Sequence, residues 1–240
     1  MGVEQRHRLL ARLLQGAPKF EMKRLCEVGA EVAGVSGAGI MLLSEDVPQG
    51  SLGVTNQVSA FIAETQFALG EGPSVDAYHQ DRPILEPDLE NPGAHRWLAF
   101  TGRALEAGVC AAFAFPLHLG AVRLGALDLY RDRPGPLTDE QHADALAMAD
   151  LATRTVLVMQ ANAPNDQLAA ELDDDADFQY VVHQASGMVA AQLDVSVGQA
   201  LVRLRAYAFG NDRPLTQVAE DVVARKLRFD EGSGERDPGR

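Results

Sequence analysis

The sequence predicts an α+β domain, with one antiparallel sheet flanked by helices, followed by a small all-α bundle of three helices. Three observations carry this. Residues 109–130 read as two strands about a turn at Gly120. Phe113 and Phe115 share one face of the first, and Leu127 and Leu129 alternate against Ala126, Asp128 and Tyr130 on the second. Helical patterns lie on both sides of that hairpin, without the regular strand–helix alternation of a parallel sheet. From Asp177 to Phe229, three apolar stripes recur at steps of three and four, separated only by cap residues. The expected segments are an N-terminal helix over 1–19, the sheet domain over 20–161, a linker over 162–176, the bundle over 177–230 and a disordered tail over 231–240.

Gln5 to Leu14 is a short helical pattern with basic residues, broken at Gly16-Ala17-Pro18. Phe20 to Ala33 is a second, with Met22, Leu25, Cys26, Gly29 and Val32 inward and a stop from Gly34 to Gly37. Gly39-Ile40-Met41-Leu42-Leu43 is the unbroken apolar run of a central strand, with Ser51 to Thr55 as its pairing partner. Val58, Phe61, Ile62 and Thr65 return to helical spacing. That helix runs into Gln66-Phe67-Ala68-Leu69-Gly70-Glu71-Gly72-Pro73-Ser74, read as an irregular loop. Pro83 to Glu86 reads as a short strand, and His95 to Ala107 as a helix after the turn at Asn91-Pro92-Gly93. Thr138 and Gln141 have the spacing of a capping box, and the helix they start continues through Leu146, Ala149, Thr153, Val156 and Met159.

In the bundle, the first stripe is Phe178, Val181, Val182, Ala185, Val189 and Leu193. Ser196 and Gln199 make a second capping box. Ala200, Leu201, Leu204 and Ala208 follow, until Gly210-Asn211-Asp212 and Pro214 end the helix. Leu215, Val218, Ala219, Val222, Val223 and Leu227 form the third stripe. Ala185, Gly187 and Ala208 read as positions of close helix packing. Three helices totalling about 50 residues bury little core, so the unit is expected to lean on a neighbour or a second copy.

The chain has 240 residues, 46% of them apolar, which is enough for one sizeable core and a small appendage. No apolar run approaches the roughly 20 residues of a membrane span, and no signal-like segment follows the N-terminal bases, so a soluble cytoplasmic protein is expected. Cys26 and Cys110 offer neither a disulfide framework nor a metal motif. His79, His95, His118, His142 and His183 are scattered, and no nucleophile, base and orienting group come together. The expectation is a non-enzyme with no catalytic residues and no metal ligands. Phosphate recognition draws on lysine and arginine, so the net charge of −13 argues against nucleic-acid binding by the chain as a whole. The bundle differs. Between Phe178 and Phe229 it carries six bases, Arg203, Arg205, Arg213, Arg225, Lys226 and Arg228, against four acids.

Within that stretch, Arg203 and Arg205 are two apart and cannot both face the core, and Tyr207 offers a ring on which an unpaired base could stack. Packing between helices is the other reading of Tyr207. Gln184 and Ser186 could reach phosphate or base edges. In the sheet domain, Phe113, Phe115 and Trp97 either line a cavity or fill the core. Gly70-Glu71-Gly72 lacks the lysine and strand-to-helix context of a phosphate cradle, which leaves Glu71 as a candidate ligand contact.

Two resemblances add to this. Gln184-Ala185-Ser186-Gly187-Met188, Val195-Ser196 before Gln199-Ala200, Leu204-Arg205-Ala206-Tyr207-Ala208 and Leu215-Thr216-Gln217-Val218-Ala219 resemble the ANTAR domain, the RNA-binding module of bacterial transcription antitermination regulators. That family often has lysine where this chain has Ser186. Residues 20–160 resemble a GAF domain, a small-molecule sensor fold related to PAS. The strings that carry it are Gln66-Phe67 with Gly70-Glu71-Gly72-Pro73, Phe115-Pro116-Leu117, Gly125-Ala126-Leu127-Asp128-Leu129-Tyr130 and Leu137-Thr138. Together they resemble the GAF-plus-ANTAR regulators of actinobacteria. The resemblance implies a sensor with a small-molecule effector, for which Phe67, Glu71, Phe113 and Phe115 are the candidate contacts. It also implies a bundle that binds RNA stem-loops, not DNA, through Gln184, Ser186, Arg203, Arg205 and Tyr207, and a homodimer held by the long helix that starts at Thr138. Two rival readings are a protein-interaction module that never touches RNA and a thiol sensor acting through Cys26 or Cys110.

Overall fold

A computed structural model describes residues 11–13, 22–44, 47–91, 96–162 and 177–229. The chain divides into two compact units, Met1–Leu172 and Asp173–Arg240. In the first, α1 (Met22–Ala33) leads to β1 (Gly37–Ser44), β2 (Val47–Val54), α2 (Gln57–Leu69), α3 (Pro73–Gln80), β3 (Ile84–Glu86) and α4 (Leu98–Glu106). The hairpin β4 (Ala111–Leu119) and β5 (Val122–Arg131) follows, and then α5 (Asp139–Asn162). The strands form one sheet in the order β2-β1-β5-β4-β3, every neighbouring pair antiparallel. The expected hairpin is present, with Phe113 opposite Leu129 and Phe115 opposite Leu127.

The two sheet faces bury different chemistry. Beneath α1 and α5, Leu25, Val28, Met148 and Ala152 pack with Ile40, Phe113, Phe115 and Leu127. On the opposite face the strands offer small residues, Ala112, Ala114 and Ala126. These let Ile62 of α2, Ala77 of α3 and Phe100 and Ala104 of α4 come close. A Cβ at Gly125 would run into the Met41 carbonyl, so only glycine allows β5 and β1 to lie at this separation.

Both capping boxes form. The Thr138 hydroxyl accepts from Gln141 N at 3.2 Å, and Gln141 Oε1 accepts from Thr138 N at 2.9 Å. Gln141 Oε1 also accepts from Arg131 (2.9 Å), whose buried guanidinium donates to the carbonyls of Ala33, Gly34 and Pro136. One side chain thus satisfies the frayed end of α1 and ties it to β5 and to the start of α5.

One expectation is corrected here. Of the stretch Gln66 to Ser74, read as loop, Gln66 to Leu69 complete α2 and Pro73 and Ser74 begin the helix α3. Pro73 occupies its first turn, where the missing N–H costs nothing, and Gly72 takes φ 137°, open in practice only to glycine. The expected N-terminal helix falls mostly outside the described residues. Within it, residues 11–13 are helical, and Leu13 is buried with α1. The linker over 162–176, but for Asn162, and the tail over 231–240 lie outside the described residues.

The second unit contains α6 (Asp177–Leu193), α7 (Val197–Gly210) and α8 (Leu215–Val223). Val182, Ala185, Val189, Leu193, Ala200, Leu201, Leu204, Ala208, Leu215, Val218, Ala219 and Val222 are all buried, as their spacing requires. Ser196 Oγ accepts from Gln199 N, and Gln199 Oε1 from Ser196 N, both at 3.2 Å. Gly187 is the exception. It is exposed, and a Cβ there would meet nothing within 4 Å, so it is not a site of close packing.

Candidate functional site

Asp128 lies on β5 between Ala126 and Tyr130 and faces the α2–α3–α4 side of the sheet. It sits opposite Gly39 on β1 and Ala114 on β4, two positions with almost no side chain. The space they leave is a small pocket lined by Gly39, Ile62, Gln66, Pro73, Phe100 and Tyr130. Its free volume, about 10 Å³, is at the threshold for a single water. Asp128 Oδ1 accepts from the Ser74 hydroxyl and from Gln66 Nε2 (3.2 Å). Gln66 Oε1 in turn accepts from Ser74 N at 2.8 Å, which closes a three-residue ring of polar contacts. Asp128 Oδ2 is buried with no hydrogen-bond partner among the described residues. Burial raises the Asp128 carboxyl to about 6, against the lowering effect of the Ser74 and Gln66 bonds. At the pocket rim, Tyr130 OH donates to Asn56 Oδ1 (2.9 Å), which also accepts from Ser59 N and caps α2.

The expected ligand residues do not gather here. Phe113 and Phe115 are fully buried on the opposite face, because odd positions of β4 point toward α1 and α5. They are core, not pocket. Phe67 is buried in α2 and does not line the pocket. Glu71 plays a structural part instead. Its Oε1 accepts from Ala99 N and Phe100 N, both at 2.9 Å, and so caps the start of α4. Of the residues that do form the site, Asp128, Gln66 and Ser74, strand alternation could have found Asp128 alone. Asp128 is an acid on an inward strand position, between Ala126 and Tyr130.

In the helical unit, Gln184 and Arg203 are exposed, and Arg205 and Tyr207 are half-buried. Desolvation pushes the Arg205 guanidinium down to about 10, and its Nε is enclosed by protein. The Tyr207 ring meets Phe229 edge-on at 5.5 Å, so part of its surface is taken by packing. Ser186 must be corrected. It is 0% exposed and its hydroxyl donates to Val182 O at 2.8 Å, which leaves no surface for phosphate. Cys26 is also buried, with its thiol pushed up to about 12 by desolvation first and by the nearby Asp128 and Glu27 charges. It is not the thiolate a redox sensor needs. Cys110 is half-buried. Among the described residues no group of three His, Cys, Asp or Glu could hold a metal ion, and no helix is long and apolar enough to cross a membrane.

A five-stranded antiparallel sheet with helices on both faces and a small pocket under one of them is a compact α+β fold. The GAF domain model matches residues 22–156, more than half of the chain, which therefore belongs to the GAF family. The match ends before the helical unit begins. No curated protein matches the chain. Among solved structures it is similar to the GAF domain of a phosphoenolpyruvate-protein phosphotransferase from Coxiella burnetii, at 14% identity over 66% of this chain and 94% of that one, with a TM-score of 0.49. The corresponding domain from Acinetobacter gives 11% identity over 69% and 100%, with a TM-score of 0.48. A type II free methionine-R-sulfoxide reductase from Thermoplasma acidophilum gives 16% identity over 65% and 96%, with a TM-score of 0.45.

Proposed function

We propose that this chain is a non-enzymatic regulator in which the GAF domain senses a small molecule and the C-terminal bundle binds RNA stem-loops in nascent transcripts, promoting antitermination. The observation that carries the RNA reading is the placement of charge. In a chain of net charge −13, the bundle collects Arg203, Arg225, Lys226 and Arg228 at exposed positions around a core made by the ANTAR-like apolar pattern. Gln184, Arg205 and Tyr207 complete the proposed RNA-facing set. One bundle with a balance of six bases to four acids binds weakly alone, so a homodimer that presents two bundles is part of the reading. Exposed Leu146 and Val158 on α5 support that helix as the dimer contact.

The effector belongs in the Asp128 pocket. A free volume of about 10 Å³ admits no metabolite, so binding requires α3 to lift from the sheet. The free Asp128 oxygen then favours a ligand that donates a hydrogen bond or carries positive charge. Gel shifts of the full chain with paired RNA hairpins, repeated with scrambled duplex and with DNA, test the output. Equal affinity for all three would remove the RNA reading. A protein-docking module is the second reading, favoured by the exposed Val202 and Phe209 on α7. Replacing Arg203 and Arg205 by alanine separates the two, since only RNA binding loses affinity together with salt dependence.

A further inference from the structure

Between α6 and the turn that follows α8 lies a groove of about 360 Å³, lined by Met188, Ala191, Gln192, Arg225 and Arg228. Its floor is apolar, and its rim carries two guanidiniums that form no ion pair among the described residues. Gln192 holds the rim in place, its Oε1 accepting from Phe229 N at 2.9 Å. The approach along α6 is bare: Gly187 is exposed in mid-helix with nothing within 4 Å of where its Cβ would stand, and exposed Ala191 lies one turn on. A mid-helix glycine with no packing reason costs helix stability and leaves the backbone open to close approach. Arg225 adds a second anomaly. It adopts φ 59° where α8 stops, a left-handed conformation that glycine fills at less cost.

We propose that this groove is a nucleotide subsite, in which one unpaired base of an RNA loop lies on Met188 and Ala191 while Arg225 and Arg228 hold its flanking phosphates. The proposal rests on the RNA-binding reading and adds a contact to those of Arg203 and Arg205. A planar group with charge at its edge fits an apolar floor with a cationic rim, and guanidiniums suit phosphate oxygens bidentately. The volume lies at the low end of small-molecule sites, which suits one nucleotide and not a helix.

The test uses the full chain, so that Asp230 and Glu231, next in the sequence, are present throughout. Fluorescence anisotropy is measured with a pool of RNA hairpins of randomised loop sequence, over a salt series. Wild type is expected to bind, and the R225Q/R228Q variant to bind at least tenfold more weakly. The slope of log affinity against log salt is expected to fall by about 1.4, at about 0.7 per single-strand phosphate contact. Arg225→Gly is expected to match or exceed wild type in thermal stability while losing affinity, which separates binding from folding. If wild type binds the pool and R225Q/R228Q binds it equally well with the same slope, the subsite is wrong and the RNA reading survives. If wild type binds no RNA at any salt, both fall.

Discussion

Asp128 lies in surroundings that disfavour its charged form. The unfolded chain releases this proton near the ordinary 3.8 and the folded protein holds it to about 6, so between those values the folded state binds more protons. Stability from this group is therefore complete below about pH 4 and declines as pH rises through about 6, by about 3 kcal/mol in all at 1.36 kcal/mol per unit. Urea titrations of wild type across that window are expected to show the decline, and Asp128→Asn to flatten it. Ser186 supports a prediction of the opposite kind. Because its hydroxyl only bonds back within α6, Ser186→Ala is expected to leave RNA affinity unchanged and to alter stability by less than about 1 kcal/mol. Cys26 is expected to resist alkylation in the native protein and to react on unfolding, as followed by mass spectrometry.

At the scale of elements, caps and open helix positions decide what a substitution does. Glu71→Ala removes the acceptor for Ala99 N and Phe100 N at the start of α4 and is expected to cost about 1–2 kcal/mol, read as a lower urea midpoint. Gly187→Ala is expected to stabilise α6 by about 1 kcal/mol, since the new methyl group meets nothing. The bundle was legible because Ser196 and Gln199 mark a helix start and the apolar residues after them repeat at the helical period. The face of each β-hairpin residue was legible for the same reason, with a period of two. What periodicity could not say was which face holds the pocket: Phe113 and Phe115 looked inward, but both faces of this sheet are inward. Nor did Gly70-Glu71-Gly72-Pro73 disclose that its proline begins a helix or that its acid caps another. Both facts depend on where α4 comes to rest.

For the whole molecule, charge is the lever that separates the proposals. Binding to paired RNA hairpins is expected to weaken steeply between low and physiological salt, whereas a docking partner held by Val202 and Phe209 would be almost indifferent to it. Light scattering of the full chain is expected to give the mass of a dimer, and Val158→Glu to shift it toward monomer. The strand order has a further consequence, which concerns synthesis. β1 lies beside β5, so the hairpin made first stays open along one edge until about eighty more residues have left the ribosome and the last strand can dock. Through that interval the backbone N–H and C=O groups of β1 that will pair with β5 have no strand beside them. A truncated product ending before Val122 is thus the form of this chain most prone to clump or to need a chaperone.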